Sequence, residues 1–379
     1  MGNKPISGEK KLVSITILHR HGARGPGESE LSPWDDSCPH DIKRQWKHEE
    51  IEVLTPVGHE QIKALGAWYA LRSKLVSDDA TYFWRSSKSG RARESGEDFA
   101  QAFNATLGFD AYPKRAVPYD MDADNFFRPW KIYETETKIT KQMCMLQHGP
   151  WFEMALEHQD FLRKIFHDVG GTKKTTKPIT GALWSTTYLM AIKESEEFWE
   201  GEGEDERRAL SKIITDDKVW ERIESIALWV WEQRFFRHGF QRKVGGRICQ
   251  EMLQRTIYND GSVNVFSGHD YTLLSVLSNL LPSYSLNTPT SFGGYIMLEL
   301  WEGVPPNHPG IGSCEQGPSS YSSSSRTIRV IYNPCPFKDK EDHVCKEVQD
   351  YREEVIMELT FAEAEAIIKD IDAYFSMLE

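Results

Sequence analysis

Cysteine is scarce in this 379-residue chain: there are six, with no CxxC pair and no zinc-ligand spacing. That excludes a thioredoxin-type redox motif and a cysteine-built metal centre. No run of about 18 apolar residues occurs, so no membrane span is expected. The opening "MGNKPISGEKK" lacks the apolar core of a signal peptide, and the expected location is cytoplasmic. Positive charge is in deficit, 45 Lys and Arg against 57 Asp and Glu, for a formal net charge of −12. Nucleic acid is therefore not an expected partner. The GxxxxGK[ST] loop that cradles nucleotide phosphates is also absent. On so acidic a chain an anionic ligand needs a local basic pocket, which makes clustered arginines informative.

What is present reads as an ordinary globular protein, 39% hydrophobic and 27% charged. "KLVSITIL" (11–18), "ATYFWRSS" (80–87) and "SVNVFSG" (262–268) are short and rich in β-branched or aromatic residues, hence strands. Each is followed by a helical pattern. The first such helix opens with Thr55 as N-cap and Pro56 as first helical residue. Strands alternating with helices predict an α/β fold, a mostly parallel, doubly wound sheet flanked by helices. "YIMLELWE" and "RTIRVIYN" read as an antiparallel pair, separated by a Pro/Gly/Ser-rich loop at 303–326. Residues 119–245 are helical, aromatic-rich and charged, and are expected to form a helical cap inserted into an α/β core of 1–118 and 246–379. The acidic run Glu194 to Arg208 reads as a solvated helix end.

The letters RHG occur twice, at 20–22 and at 237–239. In an open sheet, ligands gather beyond the carboxyl ends of the parallel strands, where helix N-termini also point. The first RHG ends a strand and carries a second cation, Arg24. Arg85 and the pair His269-Asp270 also lie at strand ends. The second copy follows a helical pattern and has Gln241 where the first has Arg24, so it is set aside.

The residue types suit a phosphate ester. Guanidiniums donate paired hydrogen bonds to phosphate oxygens, so Arg20, Arg24 and Arg85 are the expected cradle. His21, between cations, resists protonation, and a neutral imidazole facing phosphorus is a nucleophile. Its other ring nitrogen is expected to be oriented by a backbone carbonyl such as that of Gly22. His269 would donate to a phosphate oxygen, and Asp270 would protonate the departing alkoxide. No metal or other cofactor is called for. Lys88, Arg91 and Arg93 are candidates for a substrate rim; the plainer reading is a solvated helix start with Arg91 in a structural ion pair. Lys43, Arg44 and Lys47 are weaker rim candidates. Trp34, Trp46, Trp130 and Trp151 read as core before they read as an apolar entrance. His59 and His148 read as structural or surface residues.

"RHGARGP" (20–26) resembles the RHGxRxP signature of the histidine acid phosphatases, the second branch of the histidine phosphatase superfamily. "SGHD" (267–270) resembles the distal His-Asp motif of that family, and "LTPVGHEQ" (54–61) its LTxxGxxQ helix start. "RSSKSGRARESGEDF" (85–99) resembles its block of two arginines six residues apart, then Ser and Phe. The resemblance implies a phosphorylated His21, phosphate binding by Arg20, Arg24, Arg85 and His269, proton donation by Asp270, and a helical cap over an α/β core. The multiple-inositol-polyphosphate members carry His-Ala-Glu-Thr at the distal site, from which this chain departs. The expected partner is a small-molecule phosphate ester, hydrolysed by an acid phosphatase without metal. Alternatives are an inositol-phosphate (phytase-like) or lysophosphatidic acid phosphatase, a phosphomutase, or a catalytically dead phosphate-binding module. A homodimer through the helical insert and the serine-rich loop is compatible with any of these.

Overall fold

The computed structural model describes residues 11–31, 46–76, 80–108, 149–170, 179–199, 209–237, 240–303, 326–337 and 354–377. Of the residues named above, Trp34, Lys43, Arg44, Trp130, His148, His238, Gly239 and nearly all of the 303–326 loop lie outside that set. No helix among the described residues is long and apolar enough to cross a membrane.

Six strands form one sheet: β1 (Lys11–Arg20), β2 (Thr81–Ser86), β3 (Ser262–Gly268), β4 (Tyr295–Glu302), β5 (Arg326–Asn333) and β6 (Glu354–Thr360), in the order β2-β3-β1-β4-β5-β6. Pairings β1/β3 and β2/β3 are parallel, whereas β1/β4, β4/β5 and β5/β6 are antiparallel. The sheet is therefore mixed, not mostly parallel as the strand–helix alternation suggested. The reason lies in the connections. Parallel neighbours need a crossover, which the helices before and after β2 provide, whereas β4, β5 and β6 each run antiparallel to the strand before it in the sheet order. The expected antiparallel pairing of "YIMLELWE" with "RTIRVIYN" is what β4 and β5 make.

Each face of the sheet carries its own core. On one side α2 (Pro56–Ser73) and α3 (Gly90–Leu107) cover Ile15, Ile17, Val263 and Val265. On the other, α9 (Phe240–Tyr258), α10 (Asp270–Leu280) and α11 (Phe361–Ser376) cover Leu18, Phe266 and Leu298. Alternate residues of β1 thus face opposite layers, as a pleated strand requires. β1 is buried from Leu12 onward, as befits a strand paired on both edges and covered on both faces.

A third cluster joins α4 (Pro150–Glu157), α5 (Gln159–Asp168), α6 (Ile179–Glu197), α7 (Ala209–Ile213) and α8 (Asp217–Glu232). It includes Trp151, and also Leu31 and Trp46 from the segment after β1, so these two tryptophans are core residues. Within the acidic run, Glu196 is buried, its carboxylate accepting from the amides of Leu210 and Ser211 at the start of α7. The solvated-end reading fails there, because the carboxylate supplies acceptors to amides that a helix start leaves unpaired.

The turn after β1 is packed against the first turn of α2 with no room for side chains. Thr55 caps α2 by accepting from the Gly58 amide (3.0 Å), and Gln61 Oε1 accepts from the Ala23 amide (3.0 Å). A Cβ on Gly58 would overlap the backbone of Ala23, and one on Gly22 that of Gly58. Gly58→Ala is accordingly expected to lower the unfolding free energy by about 1–3 kcal/mol, the usual cost of overpacking. Urea denaturation against the wild type measures it.

Candidate active site

The β1/β3 register places Arg20 opposite Gly268, and the His21 amide donates to the Gly268 carbonyl (3.1 Å). The residues following the two strands, His21 and His269, then meet with ring centroids 5.5 Å apart at an interplanar angle of 73°. His269 is the N-cap of α10, and Asp270 is the first residue of that helix. Asp270 Oδ2 lies 3.7 Å from Arg20 Nη2, while its Oδ1 accepts from the Tyr271 amide (2.7 Å). His269 Nε2 is hydrogen-bonded to Ser87 Oγ (3.1 Å), just beyond β2. His21, Arg20, Arg24, His269 and Asp270 therefore share one region beyond the carboxyl ends of β1 and β3.

His21 is buried, and its Nδ1 sits 2.9 Å from the Gly22 carbonyl oxygen. With the proton on Nδ1, donated to that carbonyl, the lone pair is left on Nε2. Burial holds its pKa well below the usual imidazole range, and the charges of Arg91, Arg20 and Arg24 push the same way. The ring is thus neutral even under mildly acidic conditions. Nearby His19 is a different case. It is buried against Phe99 with ring centroids 5.0 Å apart, and burial brings its pKa down to about 4.

The guanidinium that meets the His21 ring belongs to Arg91 and not to Arg85. The guanidinium of Arg85 pairs through Nη1 with Glu251 of α9. Arg91 takes the place expected of it: its Nε donates to His21 Nε2 (3.2 Å), and among the charges acting on His21 it comes first. Six residues beyond Arg85 the chain has left β2 and begun α3, whose N-terminus points over the carboxyl ends of the strands, and this brings Arg91 to the site. The ion pair weighed for Arg91 also exists, with Glu52 (2.9 Å). Lys88 is exposed in the turn between, and Lys47 is exposed as well. His59 pairs with Asp98 (2.6 Å), in keeping with a structural role.

Each of the three site arginines has its own carboxylate. Glu194 holds Arg20 (2.8 Å), Glu30 grips Arg24 through both oxygens (3.2 and 2.7 Å), and Glu52 holds Arg91. Glu52 is the one non-glycine among the described residues at positive φ, 61°. The carboxylates leave specific donors over: Nε of Arg20 and Nε of Arg24 are buried with no hydrogen-bond partner. Buried N–H groups of this kind are costly unless satisfied, so two of them beside a neutral imidazole form a ready receptor for an oxyanion. Among the described residues, no group of three or more His, Cys, Asp or Glu is placed to hold a metal ion.

Solved structures share the fold of this chain. The Klebsiella sp. ASR1 phytase matches over 96% of this chain and 95% of its own, with TM-score 0.62 and 13% identity. The Citrobacter braakii phytase gives TM-score 0.62 at 17% identity, covering 96% of this chain and 98% of that one. The Hafnia alvei phytase in complex with myo-inositol hexakis sulphate gives 0.59 at 17% identity, covering 87% and 85%. The chain has the fold of these phytases. No protein-family model matches the sequence, and no curated protein matches it at a significant level.

Within this phytase-type fold, several site residues carry no signal in the sequence. Glu194 and Glu52 are ordinary glutamates in charged stretches, and only folding brings them to an arginine. Glu30 was better marked, six residues beyond Arg24. Arg234 comes from a π-helical turn, Gln233–Arg237, that follows α8. It lies 4.8 Å over the Trp184 ring, and the groups acting on its charge include Asp270, Tyr188 and Tyr271. The turn ends on Arg237 of the second RHG, which is exposed.

Exchange of Arg91 for Arg85 in the site has a direct test. Arg91→Ala is expected to weaken binding of inorganic phosphate about 10- to 100-fold, the worth of charged hydrogen bonds of roughly 1.5–3 kcal/mol. Arg85→Ala should change it less than about threefold. Calorimetric titration of both variants decides.

Proposed function

We propose that the chain is a phosphomonoester hydrolase of histidine acid phosphatase type, acting without a metal through a phosphohistidine on His21. The observation that carries this is a buried, neutral His21 with its lone pair on Nε2, set among three arginines and beside His269 and Asp270. A bound phosphate would take the unused Nε donors of Arg20 and Arg24 and replace His21 Nε2 as the partner of Arg91. Those fixed dipoles and charges stabilise the transferring phosphoryl group without reorganising. His21 Nε2 attacks phosphorus, the bond to the ester oxygen breaks, and the leaving oxygen takes the proton of the Asp270 carboxyl. Water then attacks the phosphohistidine, yielding a proton to the Asp270 carboxylate and releasing phosphate. The shared fold supports the reading, and the RHGxRxP and His-Asp motifs fall where its chemistry needs them.

The pH behaviour follows from the two groups. Asp270 is assigned the proton that the leaving oxygen takes. His21 must be unprotonated, and its pKa lies well below 6.5, so the acid-side loss of activity should come only far below that value. The acid limb of the kcat/KM profile should accordingly lie at lower pH than an unperturbed histidine would give, and a pH–rate series measures it.

A second reading, an inositol phosphate as substrate, is favoured by the three phytases that share the fold. A survey of released phosphate across inositol phosphates, sugar phosphates and lysophosphatidic acid separates the two.

Asp270→Asn should slow alkyl phosphates far more than p-nitrophenyl phosphate, whose leaving group needs little protonation. A loss of equal size on both counts against the assigned proton donor. Acid-quenching the enzyme with labelled substrate should trap label on His21, with none in His21→Ala. A wild-type enzyme that turns over yet never retains label removes the covalent route.

A further inference from the structure

A guanidinium has five N–H donors, and which of them face a ligand depends on which are already engaged. In Arg20, both hydrogens of Nη1 are engaged, one by Glu194 Oε2 (2.8 Å) and one by the Thr290 carbonyl (2.7 Å). One face of the group lies 4.2 Å over the Phe292 ring. What is left is the edge formed by Nε, which is buried with no partner, and Nη2, which lies 3.7 Å from Asp270. Two parallel donors on one edge match two phosphate oxygens.

Glu194 is itself fixed from the other side. Its Oε1 accepts from Ser291 Oγ (2.7 Å) and from the Phe292 amide (2.8 Å), and its side chain is only 15% exposed. The same 290–294 loop holds the catalytic turn through backbone bonds, Arg20 N to Gly294 O (2.8 Å) and Gly293 N to His21 O (3.1 Å). Glu194 belongs to α6, in the helical layer, whereas Arg20 and the loop belong to the sheet.

We infer that Glu194 is a positioning residue: by occupying Arg20 Nη1 it turns the Nε–Nη2 edge toward the phosphate and ties the helical layer to the anion site. The inference rests on the reading of Arg20 as a phosphate ligand. A carboxylate beside an arginine has two opposed effects on an anion. Its charge repels the anion, whereas its grip on the guanidinium presents the correct edge. The sign of the change on removing it separates the two.

The test is calorimetric titration with inorganic phosphate of wild type, Glu194→Gln, Arg20→Ala and the double variant. The glutamine keeps an oxygen for Ser291 and Phe292 but turns an NH2 toward Nη1. Measured well below the variant's own thermal midpoint, phosphate should bind about tenfold more weakly or worse, and KM for an ester should rise more than kcat falls. In the Arg20→Ala background the same change should have no further effect, since residues acting as one unit are not additive. Unchanged or tighter binding in Glu194→Gln, or full additivity with Arg20→Ala, overturns the inference. Should the glutamine variant fail to fold, Glu194→Asp, with the charge kept but withdrawn by a methylene, is expected to weaken phosphate severalfold, and wild-type affinity there overturns it equally. A wild-type protein that binds no phosphate overturns the reading of the site itself, a result distinct from either.

Discussion

The parallel pairing of β1 with β3 is the constraint on which the site depends. It sets Arg20 beside Gly268, and the next residue of each strand end is a histidine. Two motifs about 250 positions apart become neighbours through one ladder of backbone hydrogen bonds, the last of them from His21 to Gly268. Because side chains alternate across a pleated strand, a slip of one residue would send Arg20 and Leu18 to the opposite layer. The register cannot slip cheaply, since β1 is buried on both faces between two cores and its apolar residues fit only one of the two settings.

Electrostatics then explains how an acidic chain keeps three guanidiniums together. A buried guanidinium without a partner is prohibitively costly, so each site arginine is paired with a glutamate. Pairing does not use up the arginines. Glu30 and the Gly25 carbonyl take the Nη groups of Arg24, Glu194 and Thr290 take Nη1 of Arg20, and in both the Nε donor is left over. The same three cations, together with burial, keep His21 neutral. In the proposed reaction, one set of charges would both receive the anion and hold His21 in its reactive form.

The helices between α3 and β3 are joined to this centre by few but specific contacts. Glu194 reaches Arg20, and the π-helical turn after α8 brings Arg234 toward Asp270. A π-turn inserts an extra residue into the helical repeat and so redirects the side chains around it, which is how such turns come to lie near functional centres. Similarity of fold to phytases at 13–17% identity extends over the sheet and its helices together, yet fold alone does not choose a substrate.

The sequence alone settled what depends on neighbours along the chain. Runs of β-branched and aromatic residues gave β1, β2 and β3, Thr55-Pro56 gave the start of α2, and a strand followed by RHGARGP marked the turn that carries His21, together with the Gly22 carbonyl that orients its ring. Tertiary structure decided the rest. Strand direction after β3 is set by which strand each new one pairs with, which local pattern does not encode, so the strand–helix alternation predicts a parallel sheet where the sheet is mixed. Arg85 and Arg91 stand in one short stretch, and only the pitch of α3 over the strand ends determines that the second meets His21 while the first meets Glu251. Glu194 and Glu52 look like any solvated glutamate until folding delivers them to a guanidinium. A buried charge acquires its meaning from a partner across space, and a linear reading has no access to that partner.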